Sequence, residues 1–189
     1  MAFTASVAGR RHAPLVRLLN RFTRRKMERE LAPSNTVADN PGFVVPSFAT
    51  TRVLPDQPEL DLDVRSLAAH LVATVNGCAW RTDVWRVAAE RRLPAAKLLA
   101  VAAYATDPRF LPHERAALAY AAAVTEVGAP VSNDLLAELR RHFSQRGIVE
   151  LTLAVTEENT FNRIAAPPAI GAQGVLAVSA WPEPASPKA

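Results

Sequence analysis

Cysteine is almost absent from this chain of 189 residues, which carries only Cys78. One thiol excludes an intrachain disulfide, a C-x-x-C redox pair and every cysteine-rich zinc site, and the expected setting is reducing and cytoplasmic. Glycine is scarce, at seven residues, and neither G-x-G-x-x-G nor G-x-x-x-x-G-K-[ST] occurs. Two common phosphate-cradling loops are therefore missing, and no nucleotide partner is expected. The longest apolar stretches, Leu98 to Ala105 and Ala116 to Val124, are under half of the ~20 residues a membrane helix requires. Sustained alternation of apolar and polar residues is lacking too, so no sheet is expected. His113 and His142 have no carboxylate spacing that suggests a metal site, and no cofactor is implied.

What is present is helical and unevenly charged. Residues 1 to 30 hold eight basic residues against Glu28 and Glu30, a net +6, whereas the remainder, with 14 basic and 16 acidic, is −2. The basic pI thus describes a leader and not the body. In that leader Leu15, Leu18, Leu19, Phe22, Met27 and Leu31 fall on one side of a helix from Pro14 to Leu31, with arginines around them. Such a basic amphipathic helix docks on the body or on a neighbouring subunit, or meets an anionic surface through residues 10–29, lipid or nucleic acid. An Arg-rich transit peptide is the third reading, without an evident cleavage site. Residues 32–60, with Pro33, Pro41, Pro46, Pro55 and Pro58, cannot form a long helix and read as a connector.

Beyond it lie six segments with helix punctuation. Asp61 and Asp63 open a first run to Val75, stopped by Asn76-Gly77. A second is expected from Cys78 to about Arg92, a third from Pro94 to Tyr104, and a fourth from Pro112 to near Gly128. Ser132 or Asn133 caps a fifth to His142, and Ser144 a sixth over Gln145 to Ala165, before Pro167-Pro168. The expected fold is all-α, six main helices plus the N-terminal one. Its divisions are a basic helix (1–31), a connector (32–60), a helical domain (61–166) and a tail (167–189).

Cys78 is placed at a helix N-terminus, where free backbone N–H groups favour a thiolate, and Arg81 comes close to one turn later. The alternative is a cysteine packed as a small hydrophobe. Around it, "LAAHLVATVNGCAWRTDVWRVAA" (Leu67 to Ala89) resembles the carboxymuconolactone decarboxylase and alkylhydroperoxidase D-like superfamily, whose signature is N-G-C-x-x-C-x-x-x-H after an apolar helix. "ERAALAYAAAVT" (Glu114 to Thr125), "VSNDLLAELRRHFSQRGIVELT" (Val131 to Thr152) and "NTFNRIA" (Asn159 to Ala165) are similar as well. The resemblance implies an all-helical homo-oligomer, a trimer or hexamer. It also implies a peroxidase in which one thiolate attacks peroxide and a second Cys resolves the sulfenic acid. Asn76, Gly77, Cys78 and Asp83 fit that motif. The second Cys falls on Arg81, the relay His on Trp85 and the upstream Glu near Ser66. The expected protein is therefore a family member with a degenerate two-cysteine site, inactive or weakly active. Alternatives are a single-cysteine peroxidase or thiol sensor using Cys78 with a thiol reductant, a binding module acting through the basic helix, and lactone decarboxylation as a more remote one.

Other candidates surround this segment. His70, eight residues before Cys78, is either a substitute base or an ordinary helix histidine. Trp80 and Trp85 either fill the old cavity or line a new one. Glu157, Glu158 and Asn162, beside Arg163, form a candidate pocket, although adjacent glutamates lie about 100° apart and one should face solvent. Asp83 is expected to pair with Arg86 or Arg81 at the helix surface.

Overall fold

A computed structural model describes Arg21 and residues 59–90, 92–128 and 130–165. The expected N-terminal helix apart from Arg21, the connector to residue 58 and the tail from 166 lie outside the described residues. Within them are α1 Leu62–Val75, α2 Ala79–Ala89, α3 Ala95–Leu99, a 3-10 turn Val101–Ala103, α4 Pro112–Thr125, α5 Asn133–His142 and α6 Gln145–Ala165, with no strand. The fold is all-α.

The caps are local chemistry. Asp61 accepts from the Asp63 N–H at 2.6 Å and Ser132 from Leu135 N–H at 3.2 Å, and Ser144 accepts from Gly147 N–H at 3.0 Å, each meeting a donor that a helix start leaves open. Glu114 bends back to accept from Leu111 N–H at 2.7 Å. The end of α1 has two closing bonds, Gly77 N–H to Thr74 O (3.1 Å) and Cys78 N–H to Ala73 O (2.9 Å). Gly77, at φ +64°, takes the left-handed conformation this closure requires. It delivers Cys78 directly to the N-cap of α2.

Three expected helix ends are corrected. α2 stops at Ala89, short of Arg92, and α4 at Thr125, before Gly128, because Glu126 is extended at ψ 120°. The third helix is broken after Leu99 into a 3-10 turn. Tighter backbone bonds carry the chain through the break, Ala100 N–H to Lys97 O at 3.2 Å and Ala103 N–H to Ala100 O at 2.8 Å, while Arg109 donates to Ala96 O and Arg115 to the Ala105, Asp107 and Phe110 carbonyls that follow.

α1 lies against α2, α4 and α6 and buries the whole segment Ser66 to Ala73. Leu67, Leu71 and Val72 from it join Leu98, Leu118, Leu139, Leu151 and Val155 in the core, each large side chain contributing about 1.5–3 kcal/mol. Leu60, at the end of the expected connector, belongs to this core. Its N–H and that of Glu59 donate to the buried Glu150 at 2.9 and 3.2 Å.

Candidate functional site

The N-terminus of α2 faces the middle of α6. On α2, Arg81 and Trp85 are one turn apart; on α6, Glu158 and Asn162 are one turn apart, so both pairs present a common face. Arg81 Nε donates to Glu158 Oε1 at 2.9 Å, and its Nη2 donates to Glu158 Oε2. Trp85 Nε1 donates to the same Oε2 at 2.7 Å, and Asn162 Nδ2 to Oε1 at 2.8 Å and to the Glu158 carbonyl. The carboxylate, 1% exposed, thus holds a forked ion pair with a guanidinium that is 14% exposed. The Arg81 carbon lies 5.2 Å from the Phe161 ring centroid, 5.4 Å from Trp85 and 5.5 Å from Trp80, all within the ~6 Å range of cation–π attraction.

Cys78 is buried against Trp80 and Val84. Burial pushes its thiol up; the backbone N–H of Arg81 pulls it down, the Glu158 charge raises it and the Arg81 charge lowers it. This corrects the expectation of a stabilised thiolate. The helix end does act as expected, but desolvation outweighs it, and the Arg81 charge is shared with a carboxylate that opposes ionisation.

His70 is not a base for Cys78 here. It is 1% exposed, and its Nε2 donates to Leu98 O at 3.1 Å, tying α1 to the end of α3. Burial, with the nearby Arg86 charge, lowers its pKa to about 4. The glutamates take different directions but neither is the solvent-facing residue expected: Glu158 turns inward, and Glu157, its side chain 11% exposed, pairs with Arg65 at 3.9 Å. Asp83 is buried and not a surface partner; burial raises its carboxyl, with Arg86 acting against that, and Arg81 has gone to Glu158. Ser66, where the family's Glu was expected, donates to Leu62 O and accepts from Arg92. His142 pairs with Glu138 at 3.0 Å.

Phe161 was missed in the sequence, although it sits between Glu158 and Asn162 in the residue order. Its only signal was an aromatic residue three positions after Glu158. Beside the site Asn76 donates to Asn159 and Asn159 to Thr125, each at 3.0 Å, which locks the α1 terminus to α4 and α6. Two buried atoms near Arg81, Trp80 Nε1 and Asn162 Oδ1, have no hydrogen-bond partner among the described residues, an omission that costs about 1–3 kcal/mol for each group. Among the described residues no group of three or more His, Cys, Asp or Glu is placed to hold a metal, and no helix is long and apolar enough to cross a membrane.

No protein-family model matches the chain. The uncharacterised Escherichia coli protein YnjA is 34% identical over 120 residues, covering 63% of this chain and 66% of YnjA, so the match spans just under two thirds of that relative's length. A solved structure from Agrobacterium tumefaciens, a protein of unknown function suggested to be the antioxidant-defence protein AhpD, is 27% identical with a TM-score of 0.67. That likeness covers 73% of this chain and 95% of the other. The chain has the fold of the alkylhydroperoxidase D-like superfamily and is similar to its members. A cysteine-to-alanine variant of the debrominase Bmp8, in complex with 2,3,4-tribromopyrrole, has the same fold at 18% identity and a TM-score of 0.75, covering 93% of this chain and 96% of its own. Arg81 and Trp85, which the sequence resemblance sets against the family's second Cys and relay His, both donate to Glu158.

Proposed function

We propose that this alkylhydroperoxidase D-like protein has given up two-cysteine peroxidase chemistry and keeps the site as a closed polar pocket around a protonated thiol. The observation that carries this reading is the Arg81–Glu158 ion pair standing where the motif needs a resolving thiol. A resolving sulfur is required to convert a sulfenic acid into an intramolecular disulfide, and Cys78 is the chain's one cysteine. The other requirement, a base to make the thiolate, finds Trp85 in the place of the relay His, and an indole N–H can donate but not accept a proton. The test is hydrogen peroxide and alkyl hydroperoxide consumption with a dithiol reductant, comparing the wild-type chain with Cys78→Ala. Equal, background rates are expected. A Cys78-dependent rate would sink the reading in favour of a single-cysteine peroxidase or thiol sensor, in which an external thiol reduces the sulfenate.

A second reading is supported by the likeness to the debrominase: Cys78 acting on a small halogenated aromatic with thiol as reductant. Release of bromide from a bromopyrrole, lost in Cys78→Ala, would be its signature. We further propose a homo-oligomer, as the family resemblance implies, and a cytoplasmic setting.

A further inference from the structure

Asn76-Gly77 is the chain's one Asn-Gly pair, and that dipeptide carries a chemistry of its own. The backbone nitrogen after an asparagine can attack the side-chain amide carbon, and glycine, lacking a Cβ, leaves that nitrogen the most open to do so. Base takes the Gly77 N–H proton, a bond forms between Gly77 N and Asn76 Cγ, and the Cγ–Nδ2 bond breaks as Nδ2 takes up a proton and leaves as ammonia. Water then opens the cyclic imide at either carbonyl, giving aspartate or isoaspartate. No oxidant or reductant takes part.

In one respect the fold favours the reaction. Gly77 is exposed, and nothing lies within 4 Å of where its Cβ would be, so water and base reach the pair. Each reacting group is nevertheless held. Gly77 N–H, the proton that must leave, donates to Thr74 O at 3.1 Å, and on either side Asn76 N–H and Cys78 N–H donate to Val72 O and Ala73 O at 3.0 and 2.9 Å. Asn76 Nδ2, the leaving group, donates to Asn159 Oδ1 at 3.0 Å. Asn159 is itself fixed on α6, donating to Thr125 Oγ1 at 3.0 Å and Val155 O at 3.1 Å and accepting from Arg163 at 2.6 Å. Bringing Asn76 Cγ onto the Gly77 nitrogen means turning the side chain and freeing that N–H, so both bonds must open first. We infer that Asn76 is a latent deamidation site that the Asn159 network holds closed. The change runs one way. A carboxylate at position 76 would set oxygen against Asn159 Oδ1, and turning the Asn159 amide over would take its N–H groups from Thr125 and Val155 and its oxygen from Arg163. The tie between α1 and α6 is then lost beside the residue that α1 delivers to the N-cap of α2.

Trypsin releases Ser66 to Arg81, a peptide in which Asn76 is the one asparagine, so peptide mass follows the conversion of amide to acid directly. The whole protein is incubated in mildly alkaline buffer, folded and in urea, and digested at intervals. The folded chain is expected to convert more slowly than the unfolded one by about tenfold or more, because the open state is rare when a hydrogen bond must break first. Asn159→Ala should return the folded rate most of the way to the unfolded one. Thr125→Val, which removes only an acceptor that holds Asn159, should raise it in the same direction by less, and it serves where Asn159→Ala does not fold. Leu139→Ala, a core change on α5 away from the network, should leave the rate near that of the wild-type chain. Equal rates in the folded and unfolded chains overturn the inference, as do release variants no faster than the wild type, or an equal acceleration by Leu139→Ala. The product's own effect is read on Asn76→Asp, which should lower the unfolding midpoint; an unchanged midpoint would refute the one-way loss of the tie.

Discussion

Glu158 accepts from two residues of α2 and one of its own helix, and its charge adds to the burial that raises the thiol near it. Glu158→Gln leaves Arg81 without its counter-charge in a mostly buried place, and the expected loss is about 3–5 kcal/mol in urea unfolding. The apolar pair Arg81→Met with Glu158→Leu should lose less than either single change, because no desolvated charge is left behind. Since the Glu158 charge raises the Cys78 thiol and the Arg81 charge lowers it, Glu158→Gln should also shift the pH profile of iodoacetamide labelling downward. An unmoved profile would mean that desolvation alone sets the thiol. His70 gives a second pH signature. Its pKa falls from 6.5 to about 4 on folding, so the unfolded chain takes up a proton that the folded chain refuses. Stability present above pH 6.5 is therefore lost as the pH falls towards 4, by about 3 kcal/mol. His70→Gln should flatten the slope of unfolding free energy over that window; an unchanged slope would assign it to other groups.

At the scale of elements, the helix α1, its Gly77 terminator and the start of α2 work as one device that places Cys78. An ideal Cβ on Gly77 meets nothing within 4 Å, yet the backbone there is at φ +64°. Gly77→Ala should therefore cost about 1 kcal/mol through conformation and not through collision, read as a lower unfolding midpoint with unchanged helix content. The helix stops at Asn76-Gly77, the Ser132 and Ser144 caps and the full span of α6 were legible in the sequence because caps and turns are made by residues within a few positions of one another. The break of α3 was not, because the segment around it is held by distant side chains: Arg109 donates to Ala96 O on α3, and Arg115, on α4, to Ala105 O beyond the 3-10 turn. Lys97 on α3 is likewise placed by distant partners: it is buried, paired with Glu114 at 2.6 Å across to α4 and 5.5 Å from the Phe110 ring.

On the scale of the whole molecule, the charge division between a +6 leader and a −2 remainder and the all-helical architecture follow from composition and period alone. The proposed assembly belongs here as well: Val149 and Leu153, one turn apart on α6, are about half exposed at 48% and 47%. Sedimentation velocity is expected to give a mass above the 20.4 kDa of one chain, and a monomer at every concentration would refute it. By itself the sequence determined six helices, most of their ends, and a lone cysteine at a helix start, because each of these rests on contacts between near neighbours. Only the tertiary structure decided that Glu158, and not Glu157, meets Arg81 across 77 residues, and that the thiol is raised and not lowered. A helix terminus acts through adjacent backbone dipoles, whereas burial and the charge of a distant carboxylate exist only once α2 and α6 have packed together.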